Sequence, residues 1–366
     1  MKLPHQKYLS YAGSVLLLLL IVFKLHMIQK YEPSHSQLGS EKAVAKYLQQ
    51  HYPALDREQT IPTGVFIESV NFTDANTIHM SGYIWQHYSE EHSLKADIGI
   101  VFPEAIDLII KKSYQRKTDK LVTIGWYFEG SFVQKFDYTS YPFDYKKVWI
   151  RMWYVDFDTN KLLVPDLRSY DSTNPHDVLG IDDGIVLRDY SLMETYFSYK
   201  LADYDTNFGI PTYVGQKHFP ELTFNIILKR NTVNALIINI IPIVMVVIFT
   251  YYVLLALTSE RSNVGVFGCN YLNMQRSVTF LLFIVVVAHV QLRTFVFGQN
   301  ITFLDYLYFI TYFSLLYVSM VTTLAIKGDD AGWISSLLIE DNYRLPKLLF
   351  FPIILGLTLL CCLFFL

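Results

Sequence analysis

Five apolar stretches constrain this chain more than any other feature: Tyr8–Ile28, Val233–Leu257, Val278–Phe297, Phe303–Ala325 and Leu348–Leu366. Each is long enough to carry a helix across ~30 Å of hydrocarbon, which takes about 20 residues. A bilayer offers no water to backbone groups, so such stretches are expected to be helical. The first and second are separated by Gln29–Thr232, which holds four of the five tryptophans and no cysteine.

The first stretch has two readings. Lys2 and Lys7 precede the run Val15–Phe23, as in a signal sequence. No small-x-small cleavage pattern follows it, and Lys24 and Tyr31 stand where one belongs. An uncleaved anchor over residues 1–30 is expected, with a removed signal peptide as the alternative. Basic residues then orient the chain. Lys2 and Lys7 place the N-terminus in the cytoplasm, Arg261 and Arg276 mark the next cytoplasmic loop, and Lys327, Arg344 and Lys347 the one after. Gly298–Thr302 becomes a short outer loop, and the C-terminus is extracytoplasmic. The expected location is the plasma membrane (the inner membrane of a bacterium), crossed several times and in contact with lipid.

Composition closes other classes. With 52% apolar and 17% charged residues and a net charge of −3, the chain reads neither as disordered nor as a nucleic-acid binder. Its three cysteines, Cys269, Cys361 and Cys362, all fall in the last hundred residues, which excludes a disulfide framework and a Cys-rich zinc site. There is no nucleophile elbow, paired-His metal site or phosphate-cradling glycine loop. Asp182-Asp183-Gly184 reads as a turn. The chain is therefore not expected to be an enzyme or to hold a cofactor or metal.

Period-2 alternation marks residues 31–232 as strand-rich. In Glu221–Arg230, Leu222, Phe224, Ile226 and Leu228 share one face; in Lys146–Phe157, Val148, Ile150, Met152 and Tyr154 do. Further strands are expected at Gly64–Phe72, Thr77–His87 and Val122–Phe136. Two helices are expected: Glu41–His51, capped by Ser40, and Glu104–Tyr114, opened by Pro103. The fold class is thus a membrane protein with an N-terminal anchor helix, an extracytoplasmic antiparallel β-sandwich over 31–232, and a four-helix transmembrane bundle over 233–366.

Specific residues narrow this plan. Tyr141-Pro142-Phe143-Asp144, between two strands, resembles the (F/Y)-P-F-D motif of pentameric ligand-gated ion channels, the Cys-loop receptor superfamily. Leu228-Lys229-Arg230 resembles that family's step into its first membrane helix, in which Pro242 also has a counterpart. Ala288-His289-Val290 and Thr302-Phe303-Leu304-Asp305-Tyr306 look similar to prokaryotic members. Pro142 stands between aromatics, which favours a cis bond in a tight turn. The resemblance implies a homo-oligomer, a pentamer, in which Tyr141, Pro142, Phe143, Asp144 and Arg230 couple sandwich to bundle. A static Asp144–Arg230 salt bridge is the plainer alternative.

Departures from the family are equally specific. The eponymous cysteines are absent around the turn, as in prokaryotic members. Trp85-Gln86-His87 lacks the acidic residue often found two positions after that tryptophan. The Thr258–Gln275 loop is much longer than the family's few-residue link, and the anchor helix and the Glu104–Tyr114 helix are additions.

The resemblance implies that the second bundle helix lines a pore. Its register gives Phe280, Ile284, Val287, Gln291 and Thr294 as pore-lining, where a Phe280 ring gates by dewetting or simply plugs. A competing, more polar stripe is Thr279, Leu282, Val286, His289 and Arg293. Ionisable groups in a membrane helix need water, a partner or an interface. Arg293 either snorkels or pairs with Asp305; the pair is the expectation, and His289 is expected to be a hydrogen-bonded packing residue. No acidic residue occurs between Glu260 and Asp305, so any conductance is expected to lean toward anions or to discriminate poorly.

For the stimulus, Trp85, Trp126, Trp149 and Tyr190, with Trp153, Tyr154, Tyr196 and Phe197, offer an aromatic cage between subunits for a cationic or small amine ligand, or serve as sandwich core and interface packing. His79, His87 and His92 beside Glu90 and Glu91 form a weaker metal or proton sensor, or solvated surface. The ligand, small molecule or proton, stays open. Two functional readings follow: a ligand-responsive homopentameric ion channel-like receptor, or a non-conducting membrane sensor of the same fold signalling through the loop 258–275.

Overall fold

The computed structural model describes residues 3–27, 37–52, 59–89, 98–118, 121–156, 161–211, 218–258, 271–296, 300–327 and 333–366. In chain order the helices are α1 (Leu3–Met27), α2 (Glu41–His51), α3 (Thr232–Ala256), α4 (Tyr271–Phe295), α5 (Phe303–Lys327) and α6 (Trp333–Phe365). The strands are β1 (Thr60–Phe72), β2 (Thr77–Ser89), β3 (Ile100–Val101), β4 (Ala105–Thr118), β5 (Leu121–Val133), β6 (Tyr145–Tyr154), β7 (Leu162–Pro165), β8 (Tyr190–Ala202) and β9 (Phe219–Arg230). Two compact units result. The helical unit is Met1–Tyr31, Asp137–Asp144 and Asn231–Leu366; the sheet unit is Glu32–Phe136 and Tyr145–Arg230.

Five helices among the described residues are long and apolar enough to span a bilayer, so the chain reads as membrane-embedded. Within the helical unit α1 packs on α6. Ser10 Oγ donates to Leu348 O at 2.5 Å, and further along both helices Lys24 lies close enough to Cys362 to act on it electrostatically. The two contacts advance together, so α1 and α6 run parallel. Tyr11 also hydrogen-bonds Tyr251 of α3.

Asn231 caps α3, its side chain accepting from Val233 N at 3.3 Å, and Pro242 sits inside that helix. α4 begins at Tyr271, about two turns before the expected start, so 271–275 belong to the helix rather than to the loop. The rest of that loop, 259–270, lies outside the described residues. α6 starts earlier than expected too, at Trp333, but Asn342 and Tyr343 adopt φ of 61° and 59° within it. Lys347 Nζ donates to Asn342 O at 3.0 Å and to Leu257 O, at the end of α3, at 2.7 Å. A lysine thereby satisfies carbonyls left open at the end of α3 and at the break within α6.

The sheet unit holds a five-stranded sheet in the order β4-β5-β2-β1-β7 and a four-stranded one in the order β3-β6-β9-β8. Pairing is antiparallel except for β1 with β7. Phe102, just after β3, packs its ring on Phe128 and Phe132 of β5 at 5.2 and 5.8 Å, and Phe197 of β8 packs on Phe224 of β9 at 5.0 Å. Ser40 accepts from Ala43 N at 3.2 Å and starts α2, as its sequence position indicates. Tyr47 of that helix stacks on Tyr199 at 5.3 Å.

The expected helix Glu104–Tyr114 is strand β4 instead, paired along β5. Register shifts at Ile106/Ile109 and Lys112/Tyr114 insert extra residues, and Asp107 takes φ 52°. Those bulges break the period of two and leave isoleucines at three- and four-residue spacing, which imitates a helix face. Ile106 and Ile109 are in fact exposed, so no helix face is buried there. Strands β7 and β8 escape the alternation test for the opposite reason. From Glu194 to Tyr199 β8 is buried on both faces, and its polar residues Glu194, Thr195 and Ser198 fall on both, so no polar face alternates.

The far edge of β1 is closed without a continuous strand. Asp166 N donates to Thr63 O at 2.9 Å, Ile67 N to Gly180 O at 2.9 Å, and Asp182 N to Ile67 O at 2.9 Å. Between them Tyr170 OH accepts from Val65 N at 2.7 Å and donates to Val65 O at 2.8 Å. A phenol thus takes the place of a ladder residue. Gly180, at φ +68°, lets the chain approach: a Cβ there would lie 2.5 Å from Val65 O. Tyr170→Phe strips the buried Val65 amide and carbonyl of their partner. It is expected to cost about 1–3 kcal/mol in denaturant unfolding without changing the expressed fold.

Candidate functional site

The turn between β5 and β6 is the segment that the resemblance singles out, and Asp137–Asp144 belongs to the helical unit. Asp137 Oδ1 accepts from Thr139 N at 2.8 Å and from Thr139 Oγ1 at 2.5 Å, closing an Asx turn. Tyr141 N donates to Tyr138 O at 2.9 Å, Phe143 N to Ser140 O at 2.7 Å, and the Tyr141–Pro142 bond is cis. The compact loop meets the start of α5. Thr139 O accepts from Phe303 N at 2.8 Å, and the Phe143 ring lies 6.1 Å from that of Phe303. Phe303 N is one of the first-turn amides that a helix cannot satisfy itself, so the loop acts as a cap in trans.

Three residues into the same helix end stands Asp305, its side chain 2% exposed. Its Oδ2 accepts from Thr302 N at 2.6 Å and from Thr302 Oγ1 at 2.9 Å, a capping box. Two groups from α4 converge on the same carboxylate: His289 Nε2 at 2.9 Å from Oδ1, and Arg293 Nη1 at 3.2 Å from Oδ2. Arg293 also donates to Asn300 O at 3.3 Å. The other imidazole nitrogen, Nδ1, lies 3.1 Å from Tyr312 OH, and the ring stacks on Tyr308 at 4.7 Å. His289 and Arg293 are four residues apart, on one face of α4. The expected Arg293–Asp305 pair is present and His289 is a hydrogen-bonded packing residue. Contacts therefore run unbroken from the loop, through Phe303 and Asp305, to α4.

This arrangement separates the two stripes of α4. Phe280, Ile284, Val287, Gln291 and Thr294 are exposed in the single chain, Phe280 by 65%. Of the rival stripe, His289 and Arg293 turn to Asp305, while Leu282 and Val286 are exposed. Arg230, the last residue of β9, packs its guanidinium 4.6 Å from the centre of the Tyr190 ring, with Nη2 donating to Tyr190 OH at 2.5 Å. Asp144 is buried.

Within one chain the residues suggested for a cage between subunits lie on separate strands and faces. Trp85 pairs with Gly125 and Trp126 with Ile84, so the two indoles point to opposite faces of one sheet. Trp149 is on β6, and Tyr190 stacks on Phe72 at 4.8 Å. Trp85 Nε1 donates to Asp166 Oδ2 at 2.8 Å, so an acid from the segment after β7 stands beside this tryptophan, supplied from a distant part of the chain. Among the histidines, His79 Nε2 lies 3.4 Å from Glu129 and His87 Nε2 2.9 Å from Asp166; His92, Glu90 and Glu91 lie outside the described residues. No cluster of three or more metal-ligating side chains occurs among the described residues.

A different aromatic group does assemble. Trp153 lies 5.9 Å from Tyr204 and 6.5 Å from Phe208, ring centre to ring centre, and those two are 5.5 Å apart. The Arg151 guanidinium lies 5.4 Å from Trp153 and pairs with Glu104 at 2.6 Å and Glu221 at 2.9 Å. Burial alone would lower the Arg151 pKa, but Glu221 and Glu104 raise it. Tyr204 OH also bonds Glu221. The cation facing these rings is the protein's own. Arg151 alternates onto the same strand face as Trp149 and Trp153, a visible signal, but Tyr204 and Phe208 lie in a segment without periodicity. An open recess beside Trp153 is lined by Asp156, Lys161, Phe219 and Glu221.

Neither a family model nor a curated protein matches this chain.

Proposed function

We propose that the chain is a ligand-responsive, homopentameric receptor of the ion-channel kind, on the plan of the pentameric ligand-gated channels. In this reading the two sheets form an extracytoplasmic β-sandwich, α3–α6 form the bundle, and five copies of α4 surround the pore. α1 is a retained anchor beside α6; their parallel packing is what an N-terminus inside and a C-terminus outside require. The observation that carries the reading is the seating of the Thr139–Phe143 turn on Phe303, with Asp305 gripping α4 next to it. A strand-to-strand turn that caps a membrane helix offers a route by which motion of the sheets displaces α4. Binding that favours one sheet arrangement then shifts the helix equilibrium.

Phe280, Ile284, Val287, Gln291 and Thr294 line the pore in this reading, and Asp305 adds no free negative charge at its outer end because His289 and Arg293 consume it. Conductance accordingly leans toward anions. The test is current across a planar bilayer under asymmetric potassium chloride, swept through pH and small amines. Discrete openings reversing toward the chloride potential are expected; reversal at the potassium potential sinks the anion claim. Phe143→Ala is expected to reduce the response by about tenfold or more while the oligomer mass stays unchanged. An unaltered response would detach the turn from gating.

The exposed Phe280 favours one alternative, a non-conducting sensor in which five such rings plug the helix bundle and signalling passes through the connection between α3 and α4. Protein that is pentameric by mass yet silent under every condition, and conducting after Phe280→Ala, would select it.

A further inference from the structure

Residues 166–178 leave β7 and return toward β8 through two 3-10 turns, Leu167–Ser169 and Pro175–Asp177. Each end of this segment holds a histidine–carboxylate contact to a different sheet. At the first end Asp166, side chain 8% exposed, lies 2.9 Å from His87 Nε2 of β2. At the second end His176 Nδ1 lies 3.1 Å from Oε1 of Glu194 on β8, a side chain 1% exposed. We propose that residues 166–178 form a proton-responsive strap, drawn more tightly onto both sheets as His87 and His176 take up protons.

The chemistry at each clasp supports this direction. His87 Nδ1 lies 2.9 Å from Thr123 Oγ1, so both ring nitrogens have oxygen partners and a doubly protonated ring keeps both. Asp166 also accepts from Trp85 Nε1 and Ser169 Oγ. Burial pushes its carboxyl up, but the bonds from His87, Ser169 and Trp85 outweigh that and hold it at about 2. It therefore stays ionised throughout the imidazole range, and its own contribution is lost only as pH falls through about 2. At the second clasp Gln37 Nε2 donates to Glu194 Oε2 at 3.0 Å, while Oε1 accepts no well-aligned hydrogen bond among the described residues. A charged His176 supplies a cation facing that oxygen; a neutral one supplies little. Imidazole is the side chain whose charge changes between about pH 5 and 8, and a charge-assisted bond is roughly twice as strong as a neutral one.

Other charged groups around the clasps are already engaged. Near Asp166, Arg168 pairs with Glu41 of α2. Beside His176, Asp177 accepts from Ser172 Oγ at 2.6 Å. Lys147 of β6 lies 5.7 Å from the Tyr196 ring of β8.

The proposal does not depend on conduction, so its test uses no current. Hydrogen–deuterium exchange on the full-length protein in nanodiscs, corrected for intrinsic exchange, is read at about pH 8 and about pH 5.5. Amides of 166–178 are expected to gain protection about threefold or more at the lower pH, while β6 and β9 amides do not change. His87→Gln with His176→Gln is expected to abolish that gain. Equal protection of the wild-type strap at both pH values overturns the proposal whether or not the variants fold. An unaltered gain in the double variant overturns it as well.

Discussion

Replacing Asp305 by alanine is expected to cost about 1–3 kcal/mol, the range for leaving a buried donor such as the Thr302 amide unsatisfied. The carboxylate is 2% exposed and answers Arg293, His289, the Thr302 amide and the Thr302 hydroxyl together. Its removal leaves Arg293, 38% exposed, with the Asn300 carbonyl, so most of the loss falls on the capping bonds to Thr302. Asp305→Asn keeps the shape and one acceptor oxygen, so a smaller loss is expected, with the difference reporting the charge. Unfolding in detergent, followed by denaturant titration, measures both. A loss under about 1 kcal/mol for the alanine variant would mean that the Thr302 donors simply turn to water. In the proposed receptor the same variant also uncouples α4 from α5, so the response should fall even where enough folded protein survives.

The second large effect is expected at Arg151. Its guanidinium neutralises Glu104 and Glu221, whose side chains are 18% and 2% exposed. Arg151→Met preserves much of the stem but leaves two carboxylates facing each other in a half-closed space. A cost of about 3–5 kcal/mol is expected near neutral pH. Acid should relieve it, because protonating either glutamate removes the repulsion: the gap between variant and wild type narrows as pH falls. A gap independent of pH would show that the loss comes from packing against Trp153 rather than from charge. Since Arg151 is the cation that Trp153 faces, the variant also frees this ring for a small amine, detectable as new quenching of tryptophan fluorescence.

Sheet residues were legible where polar and apolar side chains alternate, whether one face is only half-buried, as in β2, or both are buried, as in β9. The alternation in Thr77–Ser89 and Phe219–Arg230 marks strands because the pleat sends successive side chains to opposite faces. It misled at β4, where two bulges converted a strand into apparent helical spacing, and was silent at β8, where the polar residues Glu194, Thr195 and Ser198 fall on both faces. The Tyr141–Phe143 turn was marked by its composition, and Asp305 as the partner of Arg293 by charge scarcity in a membrane segment. The Trp153, Tyr204 and Phe208 group was not readable, nor was the choice of Asp166 as the acid beside Trp85.

The sequence by itself determined that this chain has five apolar spans and a strand-rich segment between the first and the second. Hydrocarbon demands unbroken apolar runs, and sheets leave their period in neighbouring residues. Tertiary structure alone decided which groups meet. Thr139 caps Phe303, Tyr170 completes the edge of β1, and His87 and His176 face carboxylates on separate elements. Such meetings join residues far apart in the chain, and their energy comes from burial and pairing in space, which no local pattern encodes.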